Sequence, residues 1–138
     1  MLRNRVIAAL LAGVVSSAFA ANWESIYSAP EGTIWVDRGA MSVEHPLIHA
    51  RLRIKLSKPD NAGDGLYDES IVKVTFNCDR HAYVITYEKK WLRGKLVKEW
   101  EGDTDYIPLD PDRPLYQAAR ALCSHTYGAV QVRDTVPT

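Results

Sequence analysis

The stretch LIHARLRIKLS, residues 47–57, decides the fold class because its apolar and polar residues alternate without a break. The apolar side chains that share one side are Ile48, Ala50, Leu52, Ile54 and Leu56. Those that share the other side are His49, Arg51, Arg53 and Lys55. Strict alternation predicts a β-strand with one buried and one wet face. It favours an antiparallel sheet, since strands of parallel sheets tend to be apolar on both faces.

Other segments outside this strand show strand signals of the same kind, at residues 33–37, 71–78, 82–91 and 95–102. The turn at Arg93-Gly94 joins the last two of these segments into a predicted hairpin. Residues 58–65 are polar and contain proline and glycine, which predicts an exposed loop. A last short strand is expected at 130–133.

The apolar period changes near the end of the chain, in DPDRPLYQAARALC, residues 110–123. Leu115, Ala118, Ala119, Leu122 and Cys123 recur at the spacing of one helical face. A helix here would bury that face on the sheet. The sequence therefore predicts an α+β fold: an antiparallel meander of about five to six strands with a C-terminal helix packed on one face.

The first twenty residues, MLRNRVIAALLAGVVSSAFA, have the layout of a secretory signal. Two arginines precede an apolar run from Val6 to Val15, and Ala18-Phe19-Ala20 forms a cleavage site. The run is too short to span a bilayer, and an uncleaved anchor is the alternative. We expect a cleaved signal at 1–20 and a single exported domain at 21–138, periplasmic or secreted. The absence of a cysteine near the cleavage site predicts no lipid anchor.

The charge balance excludes a general nucleic-acid or anionic-membrane binder. The chain has 17 basic and 17 acidic residues. Cleavage would remove Arg3 and Arg5 and leave 15 basic residues against 17 acidic ones, a net charge of about −2. We therefore expect neither nucleic acid nor a membrane as the partner, although a local basic patch is compatible with this balance.

The two cysteines, Cys78 and Cys123, predict one structural disulfide, because an oxidising compartment preserves such bonds. Cys78 lies on the apolar side of its predicted strand, and Cys123 lies on the apolar face of the predicted helix. Both sulfurs would therefore point into one core. A redox or metal role usually requires a CxxC pair or clustered ligands, and the sequence has neither.

No catalytic or metal-binding motif is recognisable. The four histidines, which are His45, His49, His81 and His125, have no HExxH spacing. The sequence has no GxSxG motif and no phosphate-binding glycine loop. The acidic run at 99–105 lacks the spacing of a calcium loop. We therefore expect no enzymatic activity, no cofactor and no metal.

Two sets of side chains are candidates for binding. The first is the basic ridge His49, Arg51, Arg53 and Lys55, which could receive an acidic partner or a sulfated glycan. The alternative is an ordinary solvent face, with acidic residues of neighbouring strands opposite. The second set consists of aromatic residues that form either an exposed recognition surface or part of the core: Trp35, Trp91, Trp100, Tyr83, Tyr87 and Tyr106.

The order of these features resembles the surface-adhesin protein E family of Gram-negative bacteria. The resemblance covers nearly all of the mature chain, through Trp23, TIWVD (33–37), VKVTFNC (72–78), DYIPLDPDRP (105–114) and the helix that ends in Cys123. It implies an antiparallel sheet whose C-terminal helix is tied to it by a disulfide. It also implies a non-enzymatic adhesin that binds host matrix or plasma proteins and is able to form a homodimer.

One departure from the family affects the expected location. The protein after which the family is named is lipid-anchored, whereas this signal lacks the required cysteine, so the sequence does not predict surface display. A secreted or periplasmic binding protein of the adhesin type is the leading expectation. The alternative is a periplasmic inhibitor or envelope-maintenance factor that binds a bacterial or enzyme partner.

Overall fold

The computed structural model describes residues 21–61, 63 and 65–127, without the side chains of 125–127. The predicted signal at 1–20 and the predicted strand at 130–133 lie outside these residues. The strands are β1 (Trp23–Ala29), β2 (Gly32–Asp37), β3 (Ser42–Glu44), β4 (Leu47–Asn61), β5 (Leu66–Asn77), β6 (Ala82–Leu92), β7 (Lys95–Glu101) and β8 (Ile107–Pro108). A short 3-10 helix covers Arg38–Ala40, and the helix α1 covers Pro114–Tyr127.

The main path of the sheet is an antiparallel meander of six strands in the order β1-β2-β4-β5-β6-β7. The short strands β3 and β8 pair with β4 and β6 respectively. The predicted fold class is therefore confirmed. The predicted Arg93-Gly94 turn is also present, and both of its residues have positive φ, as a tight hairpin turn requires.

The loop predicted at 58–65 is shorter than expected. Strand β4 continues to Asn61, and Asp60 lies opposite Tyr67 after an irregular stretch that begins beyond Lys55. Pro59 falls within this stretch, where the ladder of β4 and β5 is interrupted and a missing amide proton costs no pairing. The strand therefore resumes after the proline instead of ending at it.

The core lies between one face of the sheet and α1. The predicted apolar side of β4 is buried, from Ile48 to Ile54, with Ile48 and Leu52 fully inaccessible. The helix contributes the face that its spacing predicts, since Ala118, Ala119, Leu122 and Cys123 are buried. Leu115, at the start of that face, is partly buried against the same cluster.

A disulfide joins Cys78, next to the end of β5, to Cys123 on α1, as predicted. The two Cα atoms are 5.9 Å apart, and both residues are buried in the core cluster. The bond closes a loop with a sequence separation of 45. It fixes the helix to one face of the sheet, so that the two faces differ in what covers them.

A β-bulge in β6 changes which side chains share a face. Tyr87 lies opposite Lys73, but Ile85 lies opposite Val74, so that Thr86 is the extra residue. Ile85 therefore faces the helix side, whereas Tyr87 faces the opposite side. Uninterrupted alternation along residues 82–91 would place Tyr83, Ile85 and Tyr87 on one face, but the bulge moves Tyr87 to the other.

Candidate functional site

The sheet face opposite α1 is here called the outer face. Within the described part of the chain no helix packs on it, because α1 covers the other side. The register places the predicted basic ridge of β4 on this face. The ring and cation side chains that surround the ridge there are Trp23, Trp35, Lys73, Tyr87, Lys89 and Trp91.

Cations and aromatic rings on the outer face are paired. A cation within about 6 Å of a ring centroid is attracted to the ring. The four pairs, with the distance from cation to centroid, are Arg51 and Trp23 at 5.0 Å, Arg53 and Trp35 at 5.4 Å, Lys73 and Tyr87 at 5.6 Å, and Lys89 and Trp91 at 5.4 Å. In the first three pairs the ring and the cation belong to different strands. The pairing of the strands therefore brings each ring next to its cation.

The two arginines of the ridge are also held by carboxylates. Arg53 Nη2 lies 2.8 Å from Glu69 Oε1, and Arg51 Nη1 lies 3.3 Å from Asp37 Oδ2. Each guanidinium is thus fixed between a ring and an acid. An ordinary solvent face was the alternative to a binding ridge, and the acidic neighbours that it predicts are present. Charge pairing alone, however, does not require the aromatic rings that stack on both guanidinium groups.

Asp37 anchors this arrangement at the end of β2. Its carboxylate is buried, and Oδ1 accepts hydrogen bonds from the backbone amides of Asn22 and Gly39, each at 3.1 Å. Because Oδ2 faces Arg51, one side chain links the start of β1, the 3-10 turn and the ridge. The position of Arg51 is therefore set by the backbone and not by a flexible surface contact.

The remaining ridge residues are less constrained. His49 Nδ1 lies 2.8 Å from the Thr75 hydroxyl, and His49 Nε2 lies 3.6 Å from Glu44 Oε2. Lys55 is exposed at the far end of the ridge. The structure thus brings all four predicted side chains to one face, where two are held firmly and two lie near the edge of the paired region.

The candidate aromatic residues are divided between the two faces. Trp35, Trp91 and Tyr87 lie on the outer face, whereas Tyr83 and Trp100 lie on the helix side. Tyr106 is half exposed just before β8. Sequence reasoning missed Trp23, Lys73 and Lys89 as members of the outer face. The alternation around Lys73 and Lys89 was visible in the sequence, but the neighbours of these residues across the sheet depend on the register.

A second feature, missed by sequence reasoning, is a cavity of about 860 Å³ on the helix side. It lies between strands β5 to β7 and the segment 104–115 that leads into α1. Lys90 lies in its wall and is only 6% exposed. Lys90 Nζ is 4.4 Å from the ring centroid of Tyr67 and 3.2 Å from Glu88 Oε1. Lys98 Nζ is 3.3 Å from the same oxygen.

Burial changes the ionisation of the tyrosines around this cavity. It raises the pKa of Tyr67 above its ordinary value of about 10, with a smaller contribution from the carboxylate of Asp60. It also raises the pKa of Tyr83. Both phenols therefore remain neutral hydrogen-bonding groups at physiological pH.

The described residues contain no group of three or more His, Cys, Asp or Glu side chains that could hold a metal ion. In the same part of the chain, no helix has the length and apolar character needed to cross a membrane.

Comparison with known proteins identifies one family. The model of the family described as surface-adhesin protein E matches residues 23–124. No curated protein sequence matches the chain.

Solved structures of protein E from Haemophilus influenzae are similar to the chain. The first is 16% identical, covers 67% of this chain and 77% of that chain, and has a TM-score of 0.45. A second crystal form is 15% identical, with coverages of 68% and 81% and a TM-score of 0.46. Protein E from non-typeable H. influenzae is 16% identical, with coverages of 76% and 78% and a TM-score of 0.48.

Proposed function

The chain belongs to the surface-adhesin protein E family, and we propose that it is an exported, non-enzymatic adhesin that binds host matrix or plasma proteins through its outer face. Membership of an adhesin family favours binding over catalysis. Cleavage of the signal after Ala20 and release of the domain 21–138 are parts of the same proposal.

The observation that carries the proposal is the set of ring–cation pairs on the outer face. Tryptophan, tyrosine and arginine are the residues that dominate the energy of protein interfaces. The two aromatic residues bury a large area with few rotatable bonds, and arginine adds a planar cation with several hydrogen-bond donors. Trp35 and Arg53 lie at the centre of this face, 5.4 Å apart, and Glu69 holds the guanidinium. A surface that is already ordered pays less entropy on binding.

The charges of the outer face indicate what kind of partner fits. Arginines and lysines alternate with carboxylates from neighbouring strands, including Asp37, Glu69 and Glu99. Such a mixed surface is complementary to a folded protein with charges of both signs, whereas a sulfated glycan would meet these carboxylates. The ridge alone suggested an acidic partner. The carboxylates beside it instead favour a protein that carries charges of both signs.

The proposal is tested with purified, disulfide-intact protein and immobilised vitronectin or laminin. Trp35→Ala should weaken saturable binding by about thirtyfold or more, because a hot-spot tryptophan is worth about 2 kcal/mol or more. The matched control is Trp100→Ala, which removes the same side chain from the helix side and should leave binding as in the wild type. Circular dichroism establishes that both variants are folded.

The proposal fails if the wild type shows no saturable binding at micromolar concentration, or if Trp100→Ala and Trp35→Ala weaken it equally. Capture of a bacterial envelope protein, with no host protein bound, would instead favour the inhibitor or envelope-maintenance function.

A second copy of the chain is a competing occupant of the outer face, since the family resemblance implies a homodimer. Sedimentation of the wild type and of Trp35→Ala measures this directly. If the wild type is a dimer and Trp35→Ala is a monomer that still binds the host protein, the outer face serves self-association and the docking proposal is wrong.

A further inference from the structure

We infer that the cavity on the helix side binds an uncharged small molecule that has an apolar body and a hydroxyl or carbonyl group at one end. The cavity has a volume of about 860 Å³, within the range of small-molecule sites, which span roughly 300–1,000 Å³. Such sites are mostly apolar and contain a few polar groups that fix the orientation of the ligand. The charges, the hydroxyl groups and the apolar part of the wall each limit the kind of molecule that fits.

The charged side chains of the wall are already paired. Among the described residues, the bases of the wall and the acids that face them are equal in number, three of each: Lys90, Lys98 and Arg113, and Glu88, Asp110 and Asp60. Lys90 Nζ and Lys98 Nζ lie 3.2 Å and 3.3 Å from Glu88 Oε1. Arg113 Nη1 lies 3.0 Å from Asp60 Oδ2. Burying a charge is costly unless it is paired, so an ion in the cavity would have to compete with these pairs, whereas an uncharged ligand leaves them intact.

Two hydroxyl groups in the wall are buried and have no hydrogen-bond partner among the described residues. They belong to Ser70, which is 3% exposed, and Tyr67, which is 6% exposed, and both residues lie on β5. The other buried polar side chains, which are Asp37, Asn77 and Lys90, each have a hydrogen-bond or ion-pair partner. Because buried hydroxyls usually have a partner, these two indicate a polar group that a ligand brings into the cavity.

Both hydroxyl-bearing residues adjoin Lys90, so they lie on the same part of the wall. Ser70 is opposite Lys90 in the ladder of β5 and β6, and the Tyr67 ring centroid is 4.4 Å from Lys90 Nζ. Serine and tyrosine hydroxyls are able to donate a hydrogen bond, and a hydroxyl or carbonyl oxygen of a ligand accepts one. Because burial raises the pKa of Tyr67, its phenol keeps the proton for this bond at physiological pH.

The apolar body would lie on the remainder of the wall. The side chains there are Ile54, Val72, Ile85 and Leu115. Trp100 also lines the cavity, and Gly102 lies so close to it that an added Cβ would be 3.0 Å from the indole carbon Cζ2. The backbone at Gly102 is therefore in contact with the indole ring and holds it in the wall. Removal of the ligand's apolar surface from water supplies the affinity, and the hydroxyl groups fix its orientation.

This inference is independent of the adhesin proposal, because the cavity and the outer face lie on opposite sides of the sheet. Loss of one activity therefore does not imply loss of the other, and variants on the two faces distinguish them.

The test uses octanol as the probe, with NMR chemical shifts of the uniformly labelled, disulfide-intact protein as the measurement. Octanol should shift the amides of β5 and β6 and the Trp100 indole with saturation. Octanoate and octylammonium have the same apolar chain with a negative and a positive head group. Each should bind at least tenfold more weakly than octanol, because a charge that moves from water into this wall has to be compensated.

The double variant Tyr67→Phe/Ser70→Ala removes both hydroxyl groups and keeps the rest of the two side chains. It should bind octanol about tenfold more weakly than the wild type, the effect of losing two hydrogen bonds between neutral groups. Its stability without ligand should equal or exceed that of the wild type, since a buried hydroxyl without a partner carries a desolvation cost. Ser25→Ala, which removes an exposed hydroxyl from β1, is the control and should leave the affinity unchanged.

Three results would each overturn the inference. The first is a double variant that binds octanol as tightly as the wild type, or that is markedly less stable, because the hydroxyl groups then have partners within the protein. The second is octanoate or octylammonium that binds as tightly as octanol. The third is a wild type without saturating shifts in β5, β6 and Trp100.

Discussion

At the scale of single residues, Cys123 forms the disulfide bond that holds the helix on one face of the sheet. It is buried next to Leu122 and is bonded to Cys78 across a sequence separation of 45. In the chain-entropy model, closing a loop of this length in the unfolded state is worth about 4 kcal/mol. That is comparable with the net stability of a small domain. The thiol thus has a structural role and not a chemical one.

Replacement of Cys123 by serine should lower the free energy of unfolding by about 2–4 kcal/mol, because the unfolded chain regains the entropy of an open loop. Urea denaturation followed by circular dichroism measures this. The double variant Cys78→Ala/Cys123→Ala, which leaves no unpaired thiol, should lose a similar amount. Two free thiols in the unreduced wild type, or unchanged stability in both variants, would refute the structural role.

Tyr67 makes stability sensitive to alkaline pH. Burial raises the pKa of Tyr67 in the folded protein above its value of about 10 in the unfolded chain. The stabilisation from this neutral phenol is complete below about pH 10 and is lost as the pH rises through the folded pKa, because only the unfolded chain ionises in that interval.

The variant Tyr67→Phe should therefore lose less stability than the wild type between about pH 10 and pH 11, measured by urea denaturation at each pH. Tyr106→Phe is the control, because Tyr106 is 50% exposed, and it should behave as the wild type does. Parallel stability curves for the wild type and Tyr67→Phe above pH 10 would contradict this explanation.

At the scale of elements, the bulge in β6 divides one strand between two surfaces. Before Thr86 the strand gives Tyr83 and Ile85 to the helix side, and after it gives Tyr87 to the outer face. The backbone around the bulge is held by β7 and the following segment, since the Thr86 carbonyl accepts from the Gly102 amide at 3.1 Å. The extra residue is thus a fixed part of the sheet.

Deletion of Thr86 should leave the faces of β6 unchanged, because removing the extra residue places Ile85 opposite Val74 and Tyr87 opposite Lys73 in a regular ladder. The expected cost is about 1–3 kcal/mol, since the Gly102 amide loses the Thr86 carbonyl as its acceptor. Thermal unfolding is the measurement. Thr86→Ala, which keeps the backbone of the bulge, should retain a stability within about 1 kcal/mol of the wild type. A deletion variant that no longer folds would show that Thr86 is not simply an extra residue in the ladder.

The elements that could be predicted from sequence are those with an uninterrupted period. β4 alternates strictly over its first ten residues and α1 repeats at helical spacing, and both were predicted with their buried faces. β1 was not predicted, because a register shift between Ser25 and Tyr27 breaks its alternation. β3 and β8 are only three and two residues long, too short for a period to be visible.

The same reasoning applies to the candidate site. The basic ridge was predicted because it lies along a single strand, whereas its rings come from other strands and depend on the register. The cavity could not be predicted, since Lys90, Lys98 and Tyr67 meet only after three strands have paired. Chemistry that is assembled across strands has no local signal in the sequence.

At the scale of the whole molecule, the disulfide-tied helix gives the sheet two faces with different properties. The helix side contains the core and the cavity, and the outer face carries the paired rings and cations. The four tryptophans are divided in the same way. Trp23, Trp35 and Trp91 lie on the outer face, and Trp100 lies in the cavity wall.

This division allows one measurement to test the central claim, which is that a protein partner docks on the outer face. Hydroxyl-radical labelling of the protein, alone and bound to vitronectin or laminin, is quantified at each tryptophan by mass spectrometry. Docking on the outer face predicts that the partner reduces labelling of Trp23, Trp35 and Trp91 and leaves Trp100 labelled as in the free protein. Protection of Trp100 alone, or no protection of the three outer tryptophans in a saturated complex, would contradict it.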